Sequence, residues 1–192
     1  MAIKKKLVKK VTLTGLTPIM FDRYSGDNKT QLTPNQKVYT LGGNVALPSL
    51  NISSFLSAQN TESATKRVLD KRQYKNVAAE LLSCVSFGQP LIPFLRNGET
   101  IAFGEFNGDD VDPTSGMRIE RHVARLAKGI PNPKVRPVLD TPWSLEFEMT
   151  IFPSEALNED IIERIFTQGG IQIGLGTYRG VYGKFEFGWQ DA

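Results

Sequence analysis

The residue types best suited to binding chemistry lie in a glycine-rich stretch near the end of the chain. Residues 169–185 contain six of the chain's 17 glycines. Glycine adopts positive φ without a steric clash, so a glycine cluster permits sharp reversals and brings main-chain N–H groups close to an anion or to other backbone. Cationic and aromatic side chains are interspersed among them: Gly174, Gly176, Tyr178, Arg179, Gly180 and Tyr182. The stretch is therefore a candidate for contacts with phosphate and with a base.

Two further groups of cationic side chains could contact phosphate. The first is the densest internal basic cluster and consists of Lys66, Arg67, Lys71, Arg72 and Lys75, with Tyr74 near enough to stack on a base. The second lies in residues 117–137, which hold the single acid Glu120, and includes Arg118, Arg121, Arg125, Lys134 and Arg136. A solvated charged surface without a ligand is the alternative for both groups.

The secondary structure of the second group stays open at this point. A helix would place Arg118, Arg121 and Arg125 on one face, whereas a strand would group Arg121 and Arg125 with Val123. Glycine and proline residues interrupt the segment at positions 129, 131 and 133. This pattern is typical of a protruding arm.

Catalytic and metal chemistry have no recognisable motif in this chain. His122 is the only histidine and has no visible partner as a general base, so we interpret it as a surface or ligand-contact residue. The run Asp109, Asp110 and Asp112 lacks the glycine and terminal glutamate of a calcium loop, which favours a solvated acidic loop. With no paired Cys/His spacing and no nucleophile motif, we predict neither an enzyme nor a metal site.

The elements on either side of the glycine-rich stretch exclude a nucleotide-cofactor loop. Residues 158–168 have apolar residues at helical spacing, with Asn158 as the N-cap and Gly169 as the helix stop. Residues 181–190 alternate between two faces, as in a strand. A dinucleotide loop requires strand, glycines and then helix, and the sequence has no glycine-rich phosphate loop ending in Gly-Lys-Ser/Thr. We therefore predict no cofactor.

The rest of the chain predicts an α+β fold in one domain that spans residues 1–192. Alternating residues predict strands at 11–20 and 143–151, and helical spacing predicts helices after residue 50 and at 77–85. We expect an antiparallel sheet with helices on one face, in which the strand at 143–151 pairs near the last strand. The other segments are a basic tail at 1–7, a loop insertion at 21–44, a hairpin at 91–103 with Pro93 on an edge strand, and an acidic loop and basic arm at 104–137.

The order helix, glycine loop, strand resembles the C-terminal glycine-rich loop of the RAMP superfamily, the RNA-binding subunits of CRISPR effector complexes. The resemblance lies within residues 169–185 and rests on Gly169, Gly170, Gly174, Gly176, Arg179, Gly180, Gly183 and Phe185. This ending, together with residues 14–18, is also similar to small phage-encoded proteins of unknown function. The resemblance implies a ferredoxin-like or RRM-like core whose loops and a thumb-like projection bind RNA. The histidine that RNA-processing members place near the N-terminus has no match here.

Charge and hydropathy narrow the partners that we expect. A net charge of +3 and five lysines among the first ten residues suit an anionic partner. No apolar run approaches ~18 residues, and the single Cys84 cannot form an intrachain disulfide, so we predict no membrane partner and a cytoplasmic location in a prokaryote or infected host cell.

These observations favour a non-catalytic protein that binds single-stranded RNA or DNA and associates with itself or with other protein subunits of a nucleoprotein complex. The outward positions of the predicted strands, among them Glu146, Glu148, Lys184 and Glu186, are mostly acidic or small, so binding should use the basic segments and the glycine loop. The alternative is a phage-encoded structural or interaction protein that self-assembles or inhibits a host factor without nucleic acid.

Overall fold

The computed structural model describes residues 5–27, 30–57, 62–125, 129 and 131–192, with the backbone alone at Ala124 and Arg125. The strands are β1 Leu7–Gly15, β2 Ile19–Met20, β3 Tyr39–Leu41, β4 Asn44–Pro48, β5 Val85–Phe87, β6 Leu91–Arg96, β7 Glu99–Thr100, β8 Arg118–Arg125, β9 Pro131–Leu139, β10 Ser144–Ile151 and β11 Phe185–Asp191. The helices are α1 Pro34–Lys37, α2 Ser49–Ser57, α3 Ala64–Val68, α4 Tyr74–Cys84 and α5 Glu159–Gln172. Within these ranges, no helix is long and apolar enough to cross a membrane.

A large antiparallel sheet forms the centre of the molecule. Its strands lie in the order β11–β1–β10–β6–β4–β3, with β5 beside β10 and β7 beside β6. In β1, Val11 and Leu13 are buried whereas Thr12 and Thr14 are exposed, as the alternation of a half-buried strand requires. The helices α2, α4 and α5 contact β4, β5 and β11 respectively. The predicted α+β class with an antiparallel sheet is confirmed.

Of the two predictions about strand pairing, one is confirmed and one is wrong. The strand β10 lies near β11, as expected, but one strand away from it, because β1 lies between them and places Val11 opposite Phe147 on one side and Trp189 on the other. Pro93 is not on an edge strand, since β6 lies between β10 and β4. Pro93 is opposite Ala46 of β4, and the ladder with β10 starts only at Phe94. The missing N–H of proline therefore removes no bond from that second ladder.

The helix α5 begins as predicted but continues beyond its predicted end. The side chain of Asn158 accepts a hydrogen bond from the Ile161 N–H at 3.0 Å, which confirms the N-cap. Gly169 does not stop the helix, which extends to Gln172. A Cβ at Gly169 would lie 2.3 Å from Cβ of Ala64, and one at Gly170 would lie 2.7 Å from the carbonyl oxygen of Phe185. These glycines therefore serve close packing against α3 and β11.

The amino-terminal segment starts its strand earlier than predicted. Residues 1–4 of the expected tail lie outside the described part of the chain, and β1 begins at Leu7. Lys9 is buried and forms ion pairs with Glu159 and Asp191. The predicted strand at 11–20 is interrupted after Gly15, where a Cβ would lie 2.2 Å from the ring of Trp143. The lysines here are thus not uniformly a solvated tail.

The predicted loops at 21–44 and 104–116 contain more order than expected. In the first, Thr33 and Gln36 form a capping box that starts α1, and β3 pairs with β4; Asn28 and Lys29 lie outside the described residues. In the second, Asp112 is buried, so the solvated acidic loop is wrong at this residue. Its carboxylate accepts hydrogen bonds at 3.0 Å from the N–H groups of Gly104 and Thr114, and so fixes the turn.

A second sheet carries the predicted arm. Its strands lie in the order β2–β9–β8, and β8 pairs with β9 from Arg118 opposite Val138 to Arg125 opposite Pro131. The strand alternative for residues 117–137 is therefore correct. Because side chains alternate along a strand, Glu120 and His122 share one face of β8, and Arg121 and Val123 share the other. We call the hairpin of β8 and β9 the arm.

Candidate nucleic-acid interface

The segment from Ile173 to Lys184, which we call the glycine loop, is held by the chain's own acceptors. The N–H of Gly176 donates to Oδ1 of Asn51 at 2.9 Å, and the N–H of Gly180 donates to the carbonyl oxygen of Ile173 at 2.6 Å. The N–H groups of residues 174, 175, 177, 182, 183 and 184 also donate to acceptors of this chain. These N–H groups already donate within the chain, so they are not free for the expected main-chain contact of Gly174, Gly176 and Gly180 with phosphate.

The glycines of this loop allow its backbone to pack against itself and against β2. A Cβ at Gly183 would lie 2.0 Å from the carbonyl oxygen of Leu175, and one at Gly176 would lie 2.6 Å from that of Met20. Both glycines also have positive φ. The loop is thus a structural junction between β2 and α2, and its function must lie in the side chains that it presents.

The glycine loop presents two tyrosines to the arm. Tyr178 is 55% exposed and has a φ of 55°, a conformation that non-glycine residues adopt rarely. Its ring centroid lies 5.8 Å from that of His122 and 6.0 Å from that of Tyr182. We call His122, Tyr178 and Tyr182 the aromatic cluster. Its outer member, Tyr178, leaves an aromatic ring available to a ligand.

Glu120 joins this cluster to the arm. Its Oε2 accepts hydrogen bonds from the Tyr182 hydroxyl at 2.5 Å and from Nε2 of His122 at 2.7 Å, and Oε1 pairs with Arg118. Burial alone would raise the pKa of Glu120, but the hydrogen bonds from Tyr182, Arg118 and His122 outweigh it and lower the pKa. Burial and the bond to Glu120 raise the pKa of Tyr182 to about 12. The arrangement therefore orients an imidazole and a protonated phenol around a fixed carboxylate.

Most predicted cations of the arm are already paired with carboxylates. Arg118 bonds to Asp140, Arg121 forms a two-pronged pair with Asp110 at 2.7 and 2.8 Å, and the buried Arg136 bonds to Asp22 at 2.8 Å. The side chain of Arg125 lies outside the described part of the structure. Arg136 cannot be a free phosphate ligand, because it is buried and compensated.

Lys134 occupies a different environment on the arm. It lies opposite His122 in the β8–β9 ladder and has no ion pair within the described ranges. It lines a cavity of about 710 Å³ between β9 and residues 22–37, together with Asp22, Arg23, Tyr24 and Lys37. Among the described side chains of the arm, Lys134 is thus a cation without an ion pair, on the strand face that carries the aromatic cluster.

The first predicted cationic group lies on the α3–α4 connection. Arg67, Lys71, Arg72 and Lys75 are exposed, and we call these four residues the basic surface. None of them forms an ion pair with any described residue, whereas Lys66 pairs with Glu62. The carboxylate of Asp70, in their midst, instead accepts the N–H groups of Arg72 and Gln73. The surface therefore keeps a net positive charge, of which Asp70 offsets a part.

The structure thus separates the predicted site residues into two surfaces. The basic surface belongs to elements that pack on α2 and α5, whereas the arm packs on β2 and meets the glycine loop. The helix α2 contacts α3 and α4 and also bonds through Asn51 to Gly176. It is therefore the element through which both surfaces are connected.

The outward residues of the open sheet face are mostly acidic or small, as expected. Glu146, Glu148 and Glu186 are exposed on it, and Thr12 lies opposite both Glu146 and Gly188. Lys184 lies outside β11, in the glycine loop. An aromatic stacking platform of the RRM kind is not present among the outward residues of β1, β10 and β11.

Sequence reasoning missed the role of Glu120 as the residue that joins arm and loop. His122 was expected to lack a partner, but Glu120 is bonded to it from the same face of β8. The signal was the spacing 118, 120, 122, which groups arginine, glutamate and histidine only if the segment is a strand. Among the described residues, no group of three or more His, Cys, Asp or Glu side chains could hold a metal ion.

Comparisons with known proteins give no family assignment. No protein-family model matches the chain, and no curated protein matches its sequence significantly.

Proposed function

We propose that this chain is a non-catalytic single-stranded nucleic-acid-binding protein that works as a subunit of a larger nucleoprotein assembly. The observation that carries the proposal is the basic surface, in which four exposed cations have no carboxylate partner within the described ranges. Uncompensated cations on one surface release counterions when they meet phosphates, which supplies sequence-independent affinity. The exposed ring of Tyr178 adds a stacking position that every base can use.

The strand order supports a ferredoxin-like core of the RAMP kind as part of this proposal. The strands β11, β1, β10 and β5 are neighbours in that order and all pair antiparallel. Helix α4 precedes β5, and α5 connects β10 to β11. This is the arrangement of a split βαβ unit repeated twice. The arm would then be the projection, and the glycine loop would lie at its base.

Charge and exposure suggest different roles for the basic surface and for Tyr178. The basic surface would contact successive phosphates, and each such contact steepens the dependence of affinity on salt. Stacking on an aromatic ring contributes roughly 1–3 kcal/mol per base. Arg121, which is exposed but paired with Asp110, would contribute to phosphate binding only by exchanging one anionic partner for another.

The test is binding of a labelled oligouridylate, measured by fluorescence anisotropy at increasing salt. Binding should weaken by more than about tenfold between roughly 50 mM and roughly 200 mM salt. A duplex of the same length should bind more weakly, because its bases cannot reach Tyr178. Affinity that does not respond to salt, or absence of binding at low salt, would contradict the proposal.

A second candidate is a structural or interaction protein that self-assembles or inhibits a host factor. The compensation of Arg118, Arg121 and Arg136 by the chain's own carboxylates favours it for the arm. The two candidates separate on the protein as purified. Nucleic acid that co-purifies raises the 260/280 nm absorbance ratio, and nuclease treatment should then change the size-exclusion profile. A profile that stays oligomeric without any nucleic acid supports the second candidate.

A further inference from the structure

Arg179 is a half-buried cation that, unlike the fully buried cations among the described residues, has no carboxylate partner. Lys9, Lys37, Arg118 and Arg136 each lie against at least one carboxylate. Arg179 forms no ion pair within the described part of the chain, although it is partly buried and burial lowers its pKa. A desolvated cation without a partner is costly, so its position requires an explanation.

The contacts of Arg179 are weak and leave one side of its guanidinium open. Nε donates to the carbonyl oxygen of Gly176 at 3.4 Å, and Nη2 donates to Oγ of Ser54 at 3.3 Å and to the carbonyl oxygen of Asn51 at 3.5 Å. These distances lie at or beyond the long end for such bonds. Nη1 has no described partner, yet no buried side-chain nitrogen in the described part of the chain lacks one. Nη1 therefore reaches solvent.

We infer that Arg179 and Tyr178 form a single-nucleotide subsite, in which the guanidinium binds one phosphate of the strand and the tyrosine ring stacks on a base. The inference rests on the proposed function and specifies where the single-stranded nucleic acid would be bound. A phosphate oxygen on Nη1 would supply the missing countercharge through a charge-assisted hydrogen bond. Because Arg179 is partly desolvated, this bond should be stronger than one on the exposed basic surface.

The neighbouring geometry fixes both members of the subsite. Asn51 of α2 accepts from Gly176, and Ser54 of α2 accepts from Arg179, so one helix holds both ends of the turn. Tyr178 is fixed by its contacts with His122 and Tyr182. The two side chains are therefore ordered before a ligand arrives, which lowers the entropic cost of binding.

The experiment compares Arg179→Gln with Lys10→Gln in oligouridylate binding across a salt series. Each variant removes one positive charge, but Lys10 lies on the acidic sheet face, where no binding is expected. Arg179→Gln should weaken binding about tenfold or more at low salt and should reduce the slope of log affinity against log salt by about 0.7. Lys10→Gln should leave both quantities unchanged.

Two further measurements separate this subsite from a structural role and from failure of the proposed function. Arg179→Gln should shift Tm by less than about 3 °C, because its present bonds are long; a larger loss with an unchanged salt slope would overturn the subsite. If only substitution of the basic surface weakens oligouridylate binding, the function stands and the subsite falls. If inorganic phosphate raises the Tm of the wild type but the oligouridylate does not bind, both the proposed function and the subsite are contradicted.

Discussion

Glu120 is the residue at which the arm and the glycine loop meet. It accepts hydrogen bonds from Arg118, His122 and Tyr182, so one carboxylate satisfies donors from two separate parts of the chain. Its pKa lies below the ordinary value of 4.5, because these bonds outweigh the effect of burial. At residue scale, we therefore expect Glu120 to order the site rather than to react in it.

Replacing Glu120 tests this role through pH. A folded-state pKa below the unfolded one stabilises the protein above the unfolded value, and the stabilisation is lost as pH falls through the folded value. Glu120→Gln should therefore lower the free energy of unfolding by about 1–3 kcal/mol at neutral pH. Urea unfolding at neutral and at acidic pH should show that the difference in free energy of unfolding between the wild type and Glu120→Gln is smaller at acidic pH. The exposed Glu146→Gln is the control, and an equal effect of both variants would contradict the account.

Replacing Tyr178 separates stacking from folding. Tyr178→Ala should weaken single-strand binding by about 1–3 kcal/mol, since it removes the exposed ring. Tyr178→Phe keeps the ring and should bind as the wild type does. Anisotropy titrations measure the affinity of both variants for the single strand. Equal affinities of Tyr178→Ala and Tyr178→Phe would show that stacking on this ring does not contribute to binding.

At the scale of elements, the glycines between residues 169 and 183 have two different roles. Those in the glycine loop take positive φ and let backbone segments meet, whereas Gly169 and Gly170 lie inside α5 and let it approach α3 and β11. Both uses are internal, and this removes the main-chain contact with phosphate that the glycines suggested.

Substituting Gly169 should reveal its packing role. In an exposed helix, alanine is more favourable than glycine by roughly 1 kcal/mol. Here the added Cβ would lie 2.3 Å from that of Ala64 and 3.0 Å from the Phe55 ring, so Gly169→Ala should instead destabilise the protein by about 1–3 kcal/mol. Gly188→Ala, where a Cβ meets nothing within 4 Å, is the control in urea unfolding. A gain in stability at Gly169 would show that α5 can move away.

The predictability of these elements depended on whether local signals decided them. The N-cap at Asn158 and the alternation in β10 are local, and the sequence predicts both. The end of α5 depended on what lies beside Gly169, and the neighbours of β10 depended on the insertion of β1 between β10 and β11. The pairing of Arg136 with Asp22 joins residues far apart in sequence. Spacing along the chain carries no information about such contacts, so the compensation of the arm's arginines was not predictable.

At the scale of the whole molecule, two surfaces of different character are connected through α2. The basic surface is exposed and has no ion pair with any described residue, and the junction of arm and glycine loop carries the aromatic cluster and Arg179. A nucleic-acid strand that contacted both surfaces would be attracted by the charge of the first. One of its bases and one of its phosphates would bind to the second and so fix its position. The central claim is that the basic surface supplies most of the affinity.

The most direct measurement is the salt dependence of single-strand binding for the wild type and for a variant that combines Arg67→Gln, Lys71→Gln, Arg72→Gln and Lys75→Gln. Removing four phosphate contacts should reduce the slope of log affinity against log salt by about 3, because each contact contributes roughly 0.7 on a single strand. Since these side chains are exposed, the unfolding midpoint in urea should remain that of the wild type. A folded variant with the wild-type slope would contradict the account.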